Sequence, residues 1–249
     1  MSFLKYQKQN PEILNNYLKY KAYIEFQAKT TMDETYFDLR TLFRYIKLFL
    51  YNKEKTFSIT PQKFKTITIA DITIKDLSQV TENDLDNYIM FLSDVLSNDV
   101  KTRNRKLSSA KKFFEYLEIN NMISINPAKD LKSGKIEKRL PKYLNLNESK
   151  QLLAHTINSN CRFKIRNYAI ICLFLNCSIR LSELTSIDLS DIKIDDTEQT
   201  LKIHGKGNKE RIVYLNEAVC EAIISYLKIR PNLPKSNKDY NALFISRTI

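Results

Sequence analysis

Glycine, proline, histidine and cysteine are all scarce in this 249-residue sequence. Three glycines and six prolines leave little material for linkers and favour helices. The four cysteines form no Cys-x-x-Cys pair and have no histidine at metal-ligand spacing. This pattern argues against a disulfide framework or a zinc site and favours buried thiols in a reducing compartment. We therefore expect no metal and no other cofactor.

Long apolar runs are also lacking. No run reaches the roughly 18 residues of a transmembrane helix, and no signal-peptide pattern opens the sequence. Hydrophobic residues make up 43% and charged residues 27% of the chain, which is a globular composition. We therefore expect a cytoplasmic protein without a membrane partner, large enough for one large domain or two ordinary ones.

Basic residues are in excess. Lys and Arg number 40 against 28 Asp and Glu, a net charge of +12. Residues 1–140 carry 24 basic and 17 acidic side chains (net +7), and residues 141–249 carry 16 and 11 (net +5). An excess that is shared by both halves predicts a polyanion-binding surface spanning both, and nucleic acid is the first candidate. A merely basic protein is the alternative.

Residues 176–215 contain the strongest pattern for chemistry. A turn carrying Arg180 precedes a short helix that starts at Ser182. Two apolar-alternating runs follow, 200–204 and 210–215, and the segment Gly205-Lys206-Gly207-Asn208-Lys209 joins them, which predicts a β-hairpin. An arginine suits bidentate contact with a phosphate, and a lysine on a mobile hairpin tip can donate a proton.

The two motifs of this stretch, IRLSEL and GKGNKER, resemble those of the tyrosine recombinase (phage integrase) family, in particular its Xer-like members. The resemblance implies cleavage and rejoining of DNA strands through a phosphotyrosine, with neither ATP nor metal. It implies that Arg180 stabilises the transition state, that Lys206 is the general acid and that Glu183 braces the arginine turn. Simpler roles are a structural salt bridge from Arg180 to Glu183 and a plain phosphate contact by Lys206.

The sequence departs from the family pattern in two places. The usual Thr-Gly-Leu-Arg is Cys177-Ser178-Ile179-Arg180 here, and serine adopts a positive φ less easily than glycine. The family also has a His-x-x-Arg box and a late tyrosine nucleophile. Neither His155 nor His204 is followed three residues later by arginine, and no tyrosine is a convincing nucleophile.

These departures lead us to expect a chain that binds double-stranded DNA but is catalytically inactive alone. Self-association, or association with a related recombinase on DNA, is implied by the family. One alternative is a non-catalytic DNA-binding remnant or regulator that competes for recombination sites. The other is a helical protein-interaction adaptor with incidental basic charge.

The expected fold is mainly α with several domains. An all-helical core-binding bundle (1–128) precedes a basic linker (129–141). Residues 142–249 are expected to form the N-terminal half of a mixed α+β catalytic domain with a small antiparallel hairpin. The predicted elements of the bundle are helices at 11–28, from Thr31 with a capping box to Glu34, from Thr81 with Asp84, and at 101–119. Residues 52–80 are predicted to be a long loop with a short strand or turn.

The second domain is predicted to contain helices at 147–157, 163–175 and 216–229 and a short apolar strand at 242–245. The most informative helix is 101–119, because Lys101, Arg105 and Lys112 fall at helical spacing opposite an apolar stripe. Such a face suits a phosphate backbone, although a solvated face is equally possible from sequence alone. The complete set of predicted DNA contacts is Lys101, Arg103, Arg105, Lys112, Lys138, Arg139, Lys209 and Arg211.

Overall fold

The computed structural model describes residues 2–51, 58–136, 140–205, 207 and 209–245. The chain forms two compact units, Met1–Arg139 and Leu140–Ile249. Helices dominate, and one small antiparallel sheet accompanies them, which confirms the predicted fold class. Among the described residues, no helix has both the length and the apolar character needed to cross a bilayer.

The first unit is all helical. Its helices are α1 (Ser2–Lys5), α2 (Glu12–Tyr23), α3 (Lys29–Tyr51), α4 (Pro61–Thr66), α5 (Ile74–Ser78), α6 (Glu82–Asp94) and α7 (Val100–Ile119). The long helices α3 and α7 pack against each other, and aromatic rings fill the space between them. The centroid of the Phe113 ring lies 5.2 Å from that of Tyr17, in an edge-to-face arrangement, and 5.3 Å from that of Phe43. Aromatic pairs at such distances stabilise the bundle beyond their buried area.

Local capping chemistry explains where α6 begins. The Asp84 backbone N–H donates to Thr81 Oγ1 at 3.3 Å, and the Thr81 N–H donates to Asp84 Oδ2 at 3.0 Å. This capping box satisfies two otherwise orphaned donors and confirms the predicted start. The box predicted at Thr31 is wrong, because α3 already begins at Lys29. Thr31 therefore lies inside the helix. The chain turns earlier, at Phe26, which has a positive φ of 51°.

The loop predicted for residues 52–80 is also wrong in its described part, which contains α4 and α5. Thr60 caps α4 by accepting from the Lys63 N–H, and Pro61 occupies the first helical position. Thr73 and Asp76 form a capping box at α5. Each of the two helices buries one large side chain, Phe64 or Leu77. The helices are short, so it is this burial that stabilises them rather than intrinsic propensity.

Part of the segment that the sequence predicts to be a linker lies against the first unit. Leu131 is buried in its core. Asn104 on α7 donates to the carbonyl of Gly134 at 2.8 Å and accepts from its N–H at 2.9 Å. The contacts extend the ordered unit beyond α7, and the boundaries at 128 and 141 stay a prediction.

The second unit combines helices with a three-stranded sheet. The helices are α8 (Leu146–Asn158), α9 (Lys164–Cys177), α10 (Leu181–Thr185) and α11 (Glu217–Leu227), and the strands are β1 (Ile192–Ile194), β2 (Gln199–His204) and β3 (Glu210–Tyr214). The sheet order is β1-β2-β3, antiparallel throughout. Leu201 and Ile203 of the central strand point into a core shared with α9 and α11. The predicted hairpin is therefore confirmed, with Ile203 opposite Arg211.

The edges of this sheet differ from the prediction. Strand β1 was not predicted, because its three residues are too few for a period-2 signal. The run 242–245 is predicted to be a strand, which is wrong: within the part of the chain that the structure describes, its strand pairing is a single isolated bridge, Asp188 to Ala242. Its apolar pattern reflects burial instead, since Leu243 lies in the core and its N–H donates to the Ile187 carbonyl at 2.8 Å.

Candidate functional site

The site begins with a tight turn at the end of α9. Ser178 adopts the left-handed conformation (φ 48°, ψ 38°), so the serine takes the positive φ that glycine adopts more easily. Ile179 is then buried, and Arg180 is the N-cap residue of α10, with its carbonyl accepting from the Leu184 N–H at 2.9 Å. The turn thus fixes the backbone of Arg180, while its side chain stays 74% exposed.

Glu183 is the centre of the ionic contacts around this turn. Its side chain is only 3% exposed. Oε2 accepts from the Arg180 backbone N–H at 2.9 Å, and Oε1 accepts from Arg180 Nη1 at 2.8 Å. Arg211 on β3 donates through Nη1 at 3.0 Å and Nη2 at 2.9 Å, a bidentate pair. One buried carboxylate therefore joins the arginine turn to the hairpin.

The electrostatics of this cluster follow from these bonds. The Arg211 hydrogen bonds, followed by that from the Arg180 backbone N–H, lower the pKa of Glu183 to about 2. The same pairing with Glu183 raises the pKa of Arg211. Both shifts favour the ionised forms of the two groups, which is the state in which they pair.

The hairpin tip lies beside this cluster. The Gly205 N–H donates to the Lys209 carbonyl at 2.7 Å and closes the tip. A Cβ at Gly205 would lie 3.2 Å from that carbonyl oxygen and 3.6 Å from Glu183 Oε1, so a side chain there would press on both. Gly207 has φ +78°. Lys206, the predicted general acid, lies outside the described residues, and Lys209 is exposed.

The predicted contacts on α7 are not equivalent. Lys101 and Lys112 are exposed, and Arg103 is half-buried. Arg105 is partly exposed and donates through Nη1 to Asp38 Oδ2 on α3 at 2.6 Å. Lys138 and Arg139 lie outside the described residues.

A cavity of about 240 Å³ lies beside Arg105 and Lys112. Its polar lining residues include Lys21, Asp38, Arg105, Ser108 and Lys112. The structure therefore brings Arg105 and Lys112 together at one opening, as their helical spacing predicted.

Two features of the sites were missed in the sequence. Asp38 falls at helical spacing with the buried Leu42, Tyr45 and Phe49, so a carboxylate on an apolar stripe was an available signal. The pairing of Arg211 with Glu183 joins residues 28 positions apart and had no local signal. Among the described residues, no group of three or more His, Cys, Asp or Glu could hold a metal ion.

Residues 142–248 match the model of the Phage integrase family. The Tyrosine recombinase XerC of Caldanaerobacter subterraneus subsp. tengcongensis is 41% identical over 250 residues, which cover 100% of this chain and 66% of that protein. The Tyrosine recombinase XerD of Rickettsia conorii is 33% identical over 184 residues, 71% of this chain and 59% of that protein. The chain thus spans less than two thirds of these relatives.

Solved structures share the fold at low sequence identity. The XerH site-specific recombinase bound to palindromic difH substrate has a TM-score of 0.61 at 18% identity, covering 87% of this chain and 57% of that one. A lambda integrase dimer bound to a COC' core site has a TM-score of 0.59 at 14% identity, covering 87% and 68%. Full coverage at 41% identity, the family model and the shared fold agree, and the chain belongs to the phage integrase family, the tyrosine recombinases.

Proposed function

We propose that the chain binds duplex DNA and supplies Arg180 and Lys206 to the cleavage and rejoining of a DNA strand. The observation that carries this proposal is the geometry of Arg180. One guanidinium nitrogen is anchored to buried Glu183 at 2.8 Å, while the side chain is 74% exposed. A planar fork that is held at one corner and open elsewhere is suited to the oxygens of a phosphate.

The chemistry requires two kinds of cationic help. When a tyrosine attacks the scissile phosphate, negative charge develops on the non-bridging oxygens, and a fixed guanidinium there lowers the barrier. The leaving 5′-oxygen needs a proton, which a positioned lysine can donate. In this proposal Arg180 stabilises the charge, Lys206 protonates the leaving oxygen, and the pairing of Glu183 with Arg211 holds the arginine turn in place.

Binding depends on the charge distribution. Both parts of the sequence carry a positive excess, +7 for residues 1–140 and +5 for residues 141–249. Lys101 and Lys112 are exposed on α7, where they can replace condensed counterions on DNA phosphates. The related XerH recombinase and lambda integrase were solved with DNA. We further propose that the chain acts in the cytoplasm and assembles with further recombinase copies on DNA.

A salt titration tests the binding half. The fluorescence anisotropy of a labelled 30-base-pair duplex gives the binding constant at salt concentrations from about 50 to 200 mM. The logarithm of this constant falls linearly with the logarithm of the salt concentration, and each phosphate contact adds about 0.9 to the steepness of the fall. Lys112→Ala is expected to lower the slope by about one. Lys75→Ala, an exposed lysine on α5 outside the predicted set, is the matched control and should leave it unchanged. If the unaltered chain does not bind at low salt, the helical adaptor becomes the better description.

A modified substrate tests the catalytic half. A 5′-bridging phosphorothiolate leaves as a thiolate, which needs no proton, and covalent adducts are counted on denaturing gels. Because no tyrosine of this sequence is a convincing nucleophile, a related recombinase that lacks its own catalytic arginine and lysine is added to supply the attacking tyrosine. In this mixture we expect Lys206→Ala to allow adduct formation with this substrate but not with the normal phosphate. Arg180→Ala should be roughly 10²–10³-fold slower on both. If the mixture containing the unaltered chain forms no adduct with either substrate, DNA binding remains without catalysis, as in a regulator that competes for sites.

A further inference from the structure

Arg105 differs from the other predicted DNA contacts on α7 in being tied to a buried carboxylate. Its Nη1 donates to Asp38 Oδ2 at 2.6 Å. The Asp38 side chain is 1% exposed, whereas that of Arg105 is 43% exposed. In the part of the chain that the structure describes, Nε and Nη2 of Arg105 make no hydrogen bond. The guanidinium is thus fixed at one corner and has a second edge available.

The anchor is held from several sides. Ser109 Oγ donates to the same Asp38 oxygen at 3.0 Å, and Lys106 Nζ lies 3.7 Å from the other. Lys106 also donates to Thr41 Oγ1 at 3.1 Å. Asp38 and Thr41 belong to α3 and the basic residues to α7, so the packing of two long helices sets the position of the anchor.

Burial of the Asp38 carboxylate has a cost. Burial raises the pKa of Asp38, although Lys106 and Arg105 act to lower it. The ionised form is therefore less favourable here than in the unfolded chain. A buried ion pair adds little net stability, whereas its hydrogen bonds fix the geometry of the partner: Asp38 Oδ2 accepts from both Arg105 Nη1 and Ser109 Oγ.

Orientation matters differently for the two kinds of DNA contact. Phosphate contacts need only a positive charge within reach, which a flexible and strongly hydrated lysine provides. Recognition of a base edge needs a donor pair held in one geometry, and arginine pairs in this way with O6 and N7 of guanine. The neighbouring carboxylate also offsets the charge of Arg105, so this side chain adds little to non-specific attraction.

Resting on the DNA-binding role proposed above, we propose that Arg105, positioned by Asp38, reads a guanine in the major groove, whereas Lys101 and Lys112 contact phosphates. Asp38 is a positioning residue in this scheme. It acts on DNA only through Arg105, and its effect is on sequence preference rather than on overall affinity.

Selection from a random duplex pool tests the proposal. Bound sequences are recovered and read for the unaltered chain and for Arg105→Lys, Asp38→Asn and Lys112→Ala. We expect the unaltered chain to enrich a motif with at least one fixed guanine. Arg105→Lys keeps the charge, so it should lose roughly ten-fold discrimination at one or two adjacent base pairs while its salt slope stays the same. Asp38→Asn should lose preference at the same base pairs.

Lys112→Ala is the matched control. It should keep the motif, bind all sequences more weakly and lower the salt slope by about one. If Asp38→Asn fails to fold, Arg105→Lys alone still decides the matter, because its partly exposed side chain is replaced by another cation.

Three results would overturn the inference. Arg105→Lys could retain the full motif and weaken all sequences alike, which would make Arg105 a phosphate contact. The unaltered chain could bind DNA without enriching any motif, which would refute base recognition alone. If the unaltered chain does not bind duplex DNA at about 50 mM salt, the proposed function fails together with this inference.

Discussion

Replacing Ser178 by glycine should stabilise the second unit, because this residue carries the left-handed backbone of the turn before Arg180. Ser178 has φ 48° and ψ 38° and is exposed, and no described hydrogen bond involves its hydroxyl. The substitution therefore removes a strained Cβ without removing a contact. It tests whether the departure from the family's Thr-Gly-Leu-Arg pattern is tolerated only at a cost in stability.

The magnitude follows from two opposing terms. A non-glycine residue in the left-handed region costs roughly 1–2 kcal/mol, which glycine avoids. Glycine in turn loses more backbone entropy on folding, a cost of roughly 0.5–1 kcal/mol. The difference lies between about 0 and 1.5 kcal/mol, with a central value near 0.75 kcal/mol. With a urea dependence of about 1–3 kcal/mol per molar, the unfolding midpoint should rise by a few tenths of a molar.

Urea unfolding combined with hydrogen exchange measures this gain. Exchange at the amides of α9 and α11 assigns the change to the second unit, since two units need not unfold together. Ser178→Ala is the matched control, because it removes the hydroxyl and keeps the Cβ; it should give no gain. Ser97, with φ 52° in the first unit, is an independent position where glycine should stabilise by a similar amount.

Two outcomes would refute the reasoning. If Ser178→Gly destabilises the unit, the backbone-entropy cost of glycine is larger than the strain energy of the left-handed serine. If Ser178→Ala gives the same gain as glycine, the effect comes from the hydroxyl rather than from the backbone.

Three further predictions concern the ionic cluster, the hairpin tip and the core of the first unit. Because Arg211 and the Arg180 N–H lower the pKa of Glu183 to about 2, its contribution to stability is complete above the unfolded pKa of about 4.5. That contribution should be lost as the pH falls from there towards 2, and Glu183→Gln should remove this part of the pH dependence of the urea midpoint; an identical pH profile would contradict it. Gly207→Ala should cost about 1 kcal/mol through backbone strain, since φ is +78° and, among the described residues other than its chain neighbours, no atom lies within 4 Å of the added Cβ; loss of a much larger amount would indicate a contact instead. Phe113→Ala should cost about 3–5 kcal/mol in the first unit, because its buried ring packs on Tyr17 and Phe43, and hydrogen exchange in α7 should accelerate while that in α9 does not.

Local and periodic features were predictable without the structure. The Thr81–Asp84 capping box marked the start of α6, and the apolar spacing in 101–119 marked α7. The glycines around Lys206 marked the hairpin between β2 and β3. These signals succeed because caps, helical periods and tight turns are properties of neighbouring residues.

Short elements were less predictable. Helices α4 and α5 have only six and five residues, and each depends on burying one apolar side chain in the bundle. Their caps at Thr60 and Thr73 were visible in the sequence, but a cap alone does not stabilise so short a helix. The misplaced start at Thr31 has the opposite cause, because a cap-like pattern fell inside a helix that had already begun.

The sequence by itself determined the helical class, the basic charge, the arginine turn and the hairpin with its lysine. Only the tertiary structure decided which charges are paired. Glu183 meets Arg211 across 28 residues, and Asp38 meets Arg105 across 67. These pairs form because separate helices and strands pack together. The strength of each ion pair depends on how deeply its carboxylate is buried, which no local sequence pattern encodes. That packing makes Arg105 a positioned arginine while Lys101 and Lys112 remain exposed cations.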